Sequence, residues 1–324
     1  MRFTTFNIQY GFGADGRYDL HRAADAIRDR DLIAVQEVDR HWSRTNRDDQ
    51  PAILSSLLPD HHMVYGPAFD MALPDDRTNR RQFGPLILSR WPILWSRTWP
   101  LPKRRMLDPL NTQAAALEAV IDHPSGPIKL VNLHLAHVGV QERLQQIAFL
   151  QSLLQNPAAE GGPWSGTDDE PARNWTEGEA EPPNPARAIW AGDFNMEPDS
   201  AEYRALTQQS PYHPGARYAE GLIDATAGQG LHTHVKVIAG ETRLRQLDHI
   251  FVTPDLAPRV HRTWADNGCP ASDHHPLARR FHALTAPPTP ALGGASLPPR
   301  GGGRGWGAPD PGPYRFVTLP SAAC

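Results

Sequence analysis

Cysteine is scarce in this sequence. Only Cys269 and Cys324 occur in 324 residues, too few for a disulfide framework. No apolar run approaches the ~18 residues that a membrane span requires. The first residues, "MRFTTFNIQYGFG", do not place a cationic segment before an apolar one, so we expect no signal peptide. These absences predict a cytoplasmic protein without stable membrane insertion, and we expect it to be a monomer.

Neither positive nor negative charge predominates in the sequence. The 32 lysines and arginines nearly balance the 36 aspartates and glutamates, which leaves a formal net charge of -4. This balance argues against a protein that coats nucleic acid by charge alone. An enzyme that grips a few phosphate groups through bound metal ions is still compatible with it. With 40% hydrophobic residues, a chain of this length can bury a sizeable core.

Two segments differ in composition from the rest of the chain. Residues 156–187 are acidic and rich in proline and glycine, and they are longer than a usual connection. We predict a surface insertion there, with a lid over a site as the alternative. Residues 287–324 hold too much proline and glycine for a helix or strand, which predicts a disordered tail. The remaining domain would span residues 1–286.

Helical and strand patterns alternate irregularly within that domain. A helical pattern follows Asp19, a plausible N-cap, and another begins at Val140. On the second helix we expect Arg143 and Gln146 to lie on the solvated face. Several short apolar runs follow one another without helices between them. This order predicts a mixed α/β fold with more than one sheet, rather than a strict parallel βαβ array.

Several predicted strands end in a carboxylate, amide or imidazole group. The strands end in Asn7, Glu37, His134 and Asp193 with Asn195; Asp248 interrupts a later strand pattern, and Asp273 with His274 precede the last one. A carboxylate beside buried apolar residues costs several kcal/mol unless it is paired or metal-bound. Strand ends on one side of a sheet can converge. The pattern therefore predicts one shared site.

The donor atoms of this set indicate the kind of metal. Asn7, Glu37, Asp193, Asn195 and Asp273 all offer oxygen, which suits a hard cation such as Mg²⁺ or Mn²⁺. The histidines show neither cysteine-based spacing nor an H-E-x-x-H pattern, so zinc is disfavoured. A hard cation with carboxylates and histidines suits the hydrolysis of a phosphate ester.

Seven short stretches also carry a family resemblance. They are "TTFNIQYG" (4–11), "VQEVDR" (35–40), "FGPLILSRWPI" (83–93), "NLHLAH" (132–137), "AGDFNMEP" (191–198), "LDHIFVT" (247–253) and "ASDHHPL" (271–277). With these stretches in this order, residues 2–284 resemble the endonuclease/exonuclease/phosphatase superfamily. The resemblance implies a four-layer α/β sandwich, with two facing mixed sheets flanked by helices. It also implies Mg²⁺- or Mn²⁺-dependent hydrolysis of phosphoester bonds by in-line attack of an activated water.

The resemblance assigns metal and phosphate roles to five residues. Asn7 and Glu37 match metal ligands of the family, and Asp273 matches a further carboxylate on the metal side. Asp193 matches the aspartate that orients or activates the attacking water. Asn195 matches the amide that holds a phosphate oxygen or a metal.

Histidines complete the predicted catalytic set. His274 matches the histidine of the "SDH" motif, and Asp248 the aspartate that bonds to it. Such a carboxylate fixes the tautomer of the imidazole and raises its basicity. His134 matches a phosphate-contacting histidine of the deoxyribonuclease-like and sphingomyelinase-like branches. We expect His275 to point to the opposite side of an extended segment and to take no part.

The sequence leaves the substrate open. Nucleic acid, a phospholipid head group and a soluble phosphomonoester are all candidate phosphoesters. A family member that has lost turnover and serves as a binding scaffold is the rival class. Gly84-Pro85 stands where the family often has Gly-Asn, so one phosphate-side amide has no counterpart. The nine tryptophans are scattered and form no stripe that would indicate base stacking.

Overall fold

The computed structural model describes residues 1–154, 156–168, 170–210, 212–213 and 215–282. The predicted tail, residues 287–324, lies outside the described residues. Within the described part, no helix has both the length and the apolar character needed to cross a bilayer.

Fifteen strands occur among the described residues. They are β1 (Arg2–Asn7), β2 (Leu32–Arg40), β3 (His62–Tyr65), β4 (Phe69–Leu73), β5 (Asp76–Ser89), β6 (Ile93–Pro100), β7 (Ala115–Ile121), β8 (Ile128–His134), β9 (Ala188–Asp193), β10 (Ile223–Asp224), β11 (His234–Ile238), β12 (Glu241–Arg245), β13 (Asp248–Val252), β14 (Val260–Ala265) and β15 (Leu277–Phe281).

The helices of the same residues are fewer and mostly short. They are α1 (Leu20–Ile27), α2 (Gln50–Leu57), α3 (Val140–Leu154), α4 (Pro157–Glu160) and α5 (Ala201–Thr207). The side chain of Asp19 accepts a hydrogen bond from the backbone N–H of His21, so the predicted N-cap of α1 is confirmed.

The strands form two large mixed sheets and a hairpin. The first sheet has the order β14-β15-β1-β2-β5-β3, and β4 also pairs with β5. The second has the order β10-β13-β9-β8-β7-β6, and β11 pairs with β12 alone. The β1–β2 and β8–β9 pairs are parallel, whereas the other pairs are antiparallel. Both sheets are therefore mixed, as the sequence predicts.

Three apolar clusters separate four layers. One cluster lies between the sheets, where Phe3 of the first sheet packs in the same core as Leu117 of the second. A second cluster, which includes Leu54, packs α1 and α2 against the outer face of the first sheet. The third joins α3 and α5 to the outer face of the second sheet through Ile147 and Leu206. The predicted four-layer α/β sandwich is confirmed.

The expectation for the exposed face of α3 is wrong. Arg143 is buried, where its guanidinium donates from Nε to Glu202 at 2.8 Å and from Nη1 to the carbonyl of Ala136 at 3.0 Å. Gln146 is fully buried, and it accepts from the N–H of Ala136 at 2.9 Å and donates to the carbonyl of Pro102 at 3.0 Å. These polar side chains satisfy the backbone of loops that pack on the helix. The helical period alone carries no signal for such contacts.

Candidate active site

Glu37 reaches the site through an irregularity in β2. The register of β2 on β5 shifts between Val35 and Val38, and Glu37 has a φ of 59°. A left-handed backbone at a residue other than glycine costs about 1–3 kcal/mol, and a bulge re-aims the side chain that it carries. The strain at Glu37 thus turns its carboxylate into a cleft at the ends of the strands.

Asp193 is held at the end of β9 by close strand packing. Gly192 before it has a φ of 147°, and a Cβ there would collide with the carbonyl oxygen of Leu133 on β8. Only glycine fits this position without strain. After it, the backbone N–H of Asn195 donates to Asp193 Oδ1 at 2.8 Å, and the Asn195 amide donates to the carbonyl of Leu135 at 3.0 Å. The "GDFN" stretch therefore holds the carboxylate of Asp193 in a fixed position.

Asn7 joins the carboxylates of two sheets. Its Nδ2 donates to Glu37 Oε1 at 3.0 Å and to Asp193 Oδ2 at 3.1 Å. Its Oδ1 accepts from the backbone N–H of Gln9 at 3.0 Å. The Gln9 side chain in turn donates to Asp273 Oδ2 at 3.1 Å. The sequence does not predict a role for Gln9, because this residue lies in a turn and turns have no periodic pattern. Its φ is 45°.

His274 lies between two aspartates. Its Nδ1 is 2.7 Å from Asp248 Oδ2, and its Nε2 is 3.6 Å from Asp193 Oδ2. Burial disfavours the charged imidazole, but Asp248 and Asp193 outweigh this effect and raise the pKa of His274 to about 10. Burial raises the pKa of Asp248. For Asp193 burial acts the same way, yet His274 and His134 prevail and lower its pKa.

His134 ends β8 directly opposite Asp193 in the parallel pair. Its Nε2 is 3.7 Å from Glu37 Oε1 and 3.8 Å from Asp193 Oδ2. Both distances exceed those of a direct hydrogen bond. The imidazole therefore faces the two carboxylates across a short gap.

His234 lies next to the site but outside the predicted set. It begins the β11–β12 hairpin, its ring centre is 4.8 Å from that of His274, and its Nε2 is 3.9 Å from Asp273 Oδ2. Burial lowers the pKa of His234 to about 4, with the charge of His274 as a second cause. It is therefore neutral at pH 7. Nothing in the short hairpin sequence indicates that it folds over the site.

The carboxylates of the site fit a divalent cation. Among the described residues, no lysine or arginine forms an ion pair with Glu37, Asp193 or Asp273, whose basic neighbours in the site are histidine imidazoles. Burial raises the pKa of Asp273; His274 opposes the rise, and the charge of Glu37 adds to it. Oxygen-rich donor sets of this kind are what Mg²⁺ and Mn²⁺ prefer.

Two groups of side chains have donor atoms close enough to share one ion. Glu37, His134 and Asp193 form the first group, and His234, Asp273 and His274 the second, with all donor atoms of a group within 4.8 Å of one another. The first group contains Glu37, a predicted metal ligand. Asn7, another predicted ligand, bonds to Glu37 and therefore adjoins this group.

The predicted residues all meet around one cleft of about 850 Å³. Glu37, His134, Asp193, Asn195 and His274 line it, and Lys236 and Arg245 of the hairpin line it as well. Asn7 bonds to Glu37 and Asp193, and Asp248 bonds to His274. Asp273 lies 3.9 Å from His234, which also lines the cleft. No described residue of the 156–187 segment lines the cleft.

The fold and the site together define a class of protein. It is a two-sheet α/β sandwich that brings several carboxylates and an Asp–His pair together at one cleft. The sequence profile of the endonuclease/exonuclease/phosphatase family matches residues 4–274, and the chain belongs to this family. Members of the family are phosphoester hydrolases. The predicted family membership is confirmed.

Three solved structures illustrate the similarity of fold. An endonuclease/exonuclease/phosphatase from Bacteroides vulgatus is 20% identical, with a TM-score of 0.56 over 87% of this chain and 98% of that one. A mannosyl-6-phosphatase from Bacteroides thetaiotaomicron is 16% identical, with a TM-score of 0.54 over 87% and 99%. TDP2 from Caenorhabditis elegans is 15% identical, with a TM-score of 0.54 over 87% and 74%. A search of curated proteins finds no match.

Proposed function

We propose that the protein is a Mg²⁺- or Mn²⁺-dependent hydrolase of phosphodiester bonds, with water attacking phosphorus in line. One observation carries the proposal. Glu37, Asp193 and Asp273 gather beside His274, which is itself bonded to Asp248, and no described lysine or arginine pairs with these three carboxylates. A cation is the natural counter-charge for such a group, and the imidazole supplies a proton donor next to it.

Glu37 would hold the cation, with the amide of Asn7 and the carboxylate of Asp273 nearby. The cation, when bound, stabilises the negative charge that develops on the phosphate oxygens. Asn7 already contacts Glu37 and Asp193, so it fixes the separation of these carboxylates. Gln9 orients Asp273 in the same way.

Asp193 would position the attacking water. Its carboxylate is buried and fixed by Asn7 and by the N–H of Asn195, so one oxygen orientation is maintained. A fixed carboxylate can accept the proton of a water that attacks phosphorus. The amide of Asn195 and the imidazole of His134 would contact phosphate oxygens from the same side of the cleft.

His274 would donate to the phosphate from Nε2. Its raised pKa of about 10 keeps the imidazole protonated at neutral pH, and Asp248 holds Nδ1. The proton on Nε2 therefore faces the cleft. In that position it stabilises the pentacovalent state or protonates the leaving oxygen.

A substrate panel tests this function. We would measure hydrolysis of single- and double-stranded DNA, RNA, sphingomyelin, phosphoinositides, small phosphomonoesters and a generic phosphodiester, each with Mg²⁺ or Mn²⁺ and with EDTA. We expect turnover of at least one phosphodiester that EDTA abolishes. Metal-dependent thermal stabilisation without turnover of any substrate would instead favour a binding scaffold, and turnover of monoesters alone would correct the substrate class.

We infer further that the enzyme works as a monomer in the cytoplasm. The low cysteine content and the buried, unpaired state of Cys269 support the cytoplasmic location. Light scattering on the purified protein and fractionation of cells that express it would test the two parts separately.

A further inference from the structure

One side of the cleft carries a group of aromatic rings and an arginine that the proposed mechanism does not use. We call Tyr10, Trp42, Arg44, Phe69 and Phe83 the aromatic wall. All five line the same cleft as Glu37 and His134. They come from the turn after β1, the turn after β2, and strands β4 and β5. Because they are far apart in the chain, no stripe in the sequence shows them.

The rings of the aromatic wall touch in a continuous row. The ring centres of Trp42 and Phe69 are 6.1 Å apart, and those of Phe69 and Phe83 are 5.7 Å apart. Phe83 continues to Tyr10 at 6.0 Å and to the imidazole of His134 at 6.4 Å. These separations are typical of favourable ring pairs. The row therefore extends from Trp42 to a residue that faces the carboxylates Glu37 and Asp193.

Arg44 is locked within this wall. Its Nε and Nη2 each donate to the buried carboxylate of Asp39 at 2.8 Å, a two-pronged pair. Its guanidinium carbon lies 3.8 Å from the ring centre of Tyr10 and 5.0 Å from that of Trp42. Yet 41% of the side chain is exposed, and Nη1 donates no hydrogen bond within the described residues. A planar cation with unused N–H groups is thus held at the surface of the cleft.

Two further cations lie elsewhere around the cleft. Lys236 and Arg245 of the β11–β12 hairpin line it, and neither forms an ion pair with a described carboxylate. Free cations suit additional phosphate groups of a substrate. A strand or dinucleotide would supply both features, a planar base for the wall and a second phosphate for the hairpin.

We propose that the aromatic wall binds a planar aromatic ring joined to the phosphate that is hydrolysed, with a nucleobase as the ring. The inference rests on the proposed phosphodiesterase function and adds the substrate class. Rings stack on aromatic side chains and on guanidinium planes, whatever the base. The free N–H groups of Arg44 bond to ring carbonyl groups or to a neighbouring phosphate. A saturated lipid chain would use neither the guanidinium plane nor its free donors.

Matched substrates test the inference. We would compare kcat/KM for the methyl diester of thymidine 5′-phosphate with that for the methyl diester of 1,2-dideoxyribose 5-phosphate, which lacks the base. A third substrate, the phenyl diester of the base-free sugar phosphate, carries its ring on the other alcohol. We expect the wild type to prefer the thymidine diester. Equal kcat/KM values for the two methyl diesters would contradict the assignment of a nucleobase to the wall. If no diester is hydrolysed, the proposed function itself is wrong.

Variants of Trp42 test whether the aromatic wall causes the preference for the thymidine diester. We expect Trp42→Ala to lower kcat/KM for the thymidine diester by about 5- to 150-fold, which corresponds to the ~1–3 kcal/mol of one base–aromatic stack. The base-free methyl diester should change by less than about 2-fold, a loss well below one stack. Trp42→Phe, which keeps a ring and guards against misfolding, should retain most of the preference.

The control is Trp175→Ala, since Trp175 is 88% exposed and does not line the cleft. We expect this variant to behave as the wild type with all three substrates. If Trp42→Ala lowers only the rate of the phenyl diester, the wall binds a ring on the ester alcohol. If Trp42→Ala lowers all three rates equally, the wall binds no ring and the inference is wrong. Equilibrium binding of thymidine 5′-phosphate and deoxyribose 5-phosphate should show the same ranking as the kinetics.

Discussion

Asp248 holds His274 by a contact of 2.7 Å between Oδ2 and Nδ1, although 26 residues separate them in the chain. Asp248 lies opposite Asp193 in the β13–β9 pair, so the imidazole lies between two carboxylates on adjacent strands. Burial alone would favour the neutral ring. The two carboxylates outweigh burial, and the pKa of His274 rises to about 10.

Asp248→Asn should weaken this arrangement. The amide removes the negative charge beside Nδ1, so we expect the pKa of His274 to fall. NMR titration of the His274 ring in the metal-free protein would measure it, with the exposed His137 as an internal reference. With the orienting carboxylate gone, kcat should drop by about 10²–10⁴-fold. An unchanged pKa of His274 would mean that Asp248 does not control its charge.

The same pKa gives a pH dependence of stability. In the unfolded chain a histidine releases its proton near pH 6.5, whereas folded His274 keeps it up to about pH 10. Its contribution to the free energy of unfolding is therefore complete below about pH 6.5 and is lost as the pH rises toward about 10. Urea unfolding in EDTA should show that the wild type exceeds His274→Gln most at low pH. A difference that stays constant from pH 6 to about 10 contradicts the assignment.

The neighbouring histidines should differ in importance. His274 lines the cleft, whereas His275 does not, and the backbone N–H of His275 donates to the carbonyl of Thr233 at 2.7 Å. We expect His274→Ala to lower kcat by about 10²–10⁴-fold, the usual contribution of a general acid. His275→Ala should retain most of the activity. Equal losses in a side-by-side assay would show that the two roles are wrongly divided.

Gln146 should support the loop that follows His134. Both ends of its side chain bond to backbone groups, at Ala136 and Pro102. Gln146→Leu leaves these groups buried without partners, which should lower the free energy of unfolding by about 1–3 kcal/mol. The exposed Gln145 on the same helix allows a matched control. If Gln145→Leu and Gln146→Leu unfold at the same urea concentration, the bonds to the loop contribute nothing measurable.

Metal binding should depend on Glu37. A ligand that binds only the folded state raises its stability, so Mn²⁺ should raise the Tm of the wild type. We expect Glu37→Gln to reduce this rise, since the amide keeps the shape but loses the charge. The exposed Glu179 is a control of the same chemistry. Equal metal-induced shifts in Glu37→Gln and Glu179→Gln would remove Glu37 from the metal site.

Much of the site is predictable because its residues lie within or at the ends of apolar strands. Asp193 ends β9 and Asp248 begins β13, whereas Glu37 lies inside β2, which continues beyond the predicted end. Sheet packing brings such positions together. His234 and Trp42 carry no comparable signal, since a hairpin and a turn place them over the cleft. Their positions depend on the packing of several elements, which local sequence does not encode.

The fold, like the site, is predictable only where the local sequence carries a signal. Alternating runs of strands and capped helices were enough for the class of fold, because each element has a local signal such as the cap at Asp19. The prediction for Gln146 is wrong for a complementary reason. A polar side chain within a helical pattern is usually solvated, and only the loops packed on α3 make its burial favourable.

The most direct test of the account is the rate at which the protein hydrolyses bis(p-nitrophenyl) phosphate. The wild type should turn over this diester in Mn²⁺, lose the activity in EDTA and regain it when Mn²⁺ is restored in excess. Asp193→Asn should be slower by about 10²–10⁴-fold under the same conditions, because it cannot accept the proton of the attacking water. Hydrolysis that persists both in EDTA and in Asp193→Asn would contradict the account.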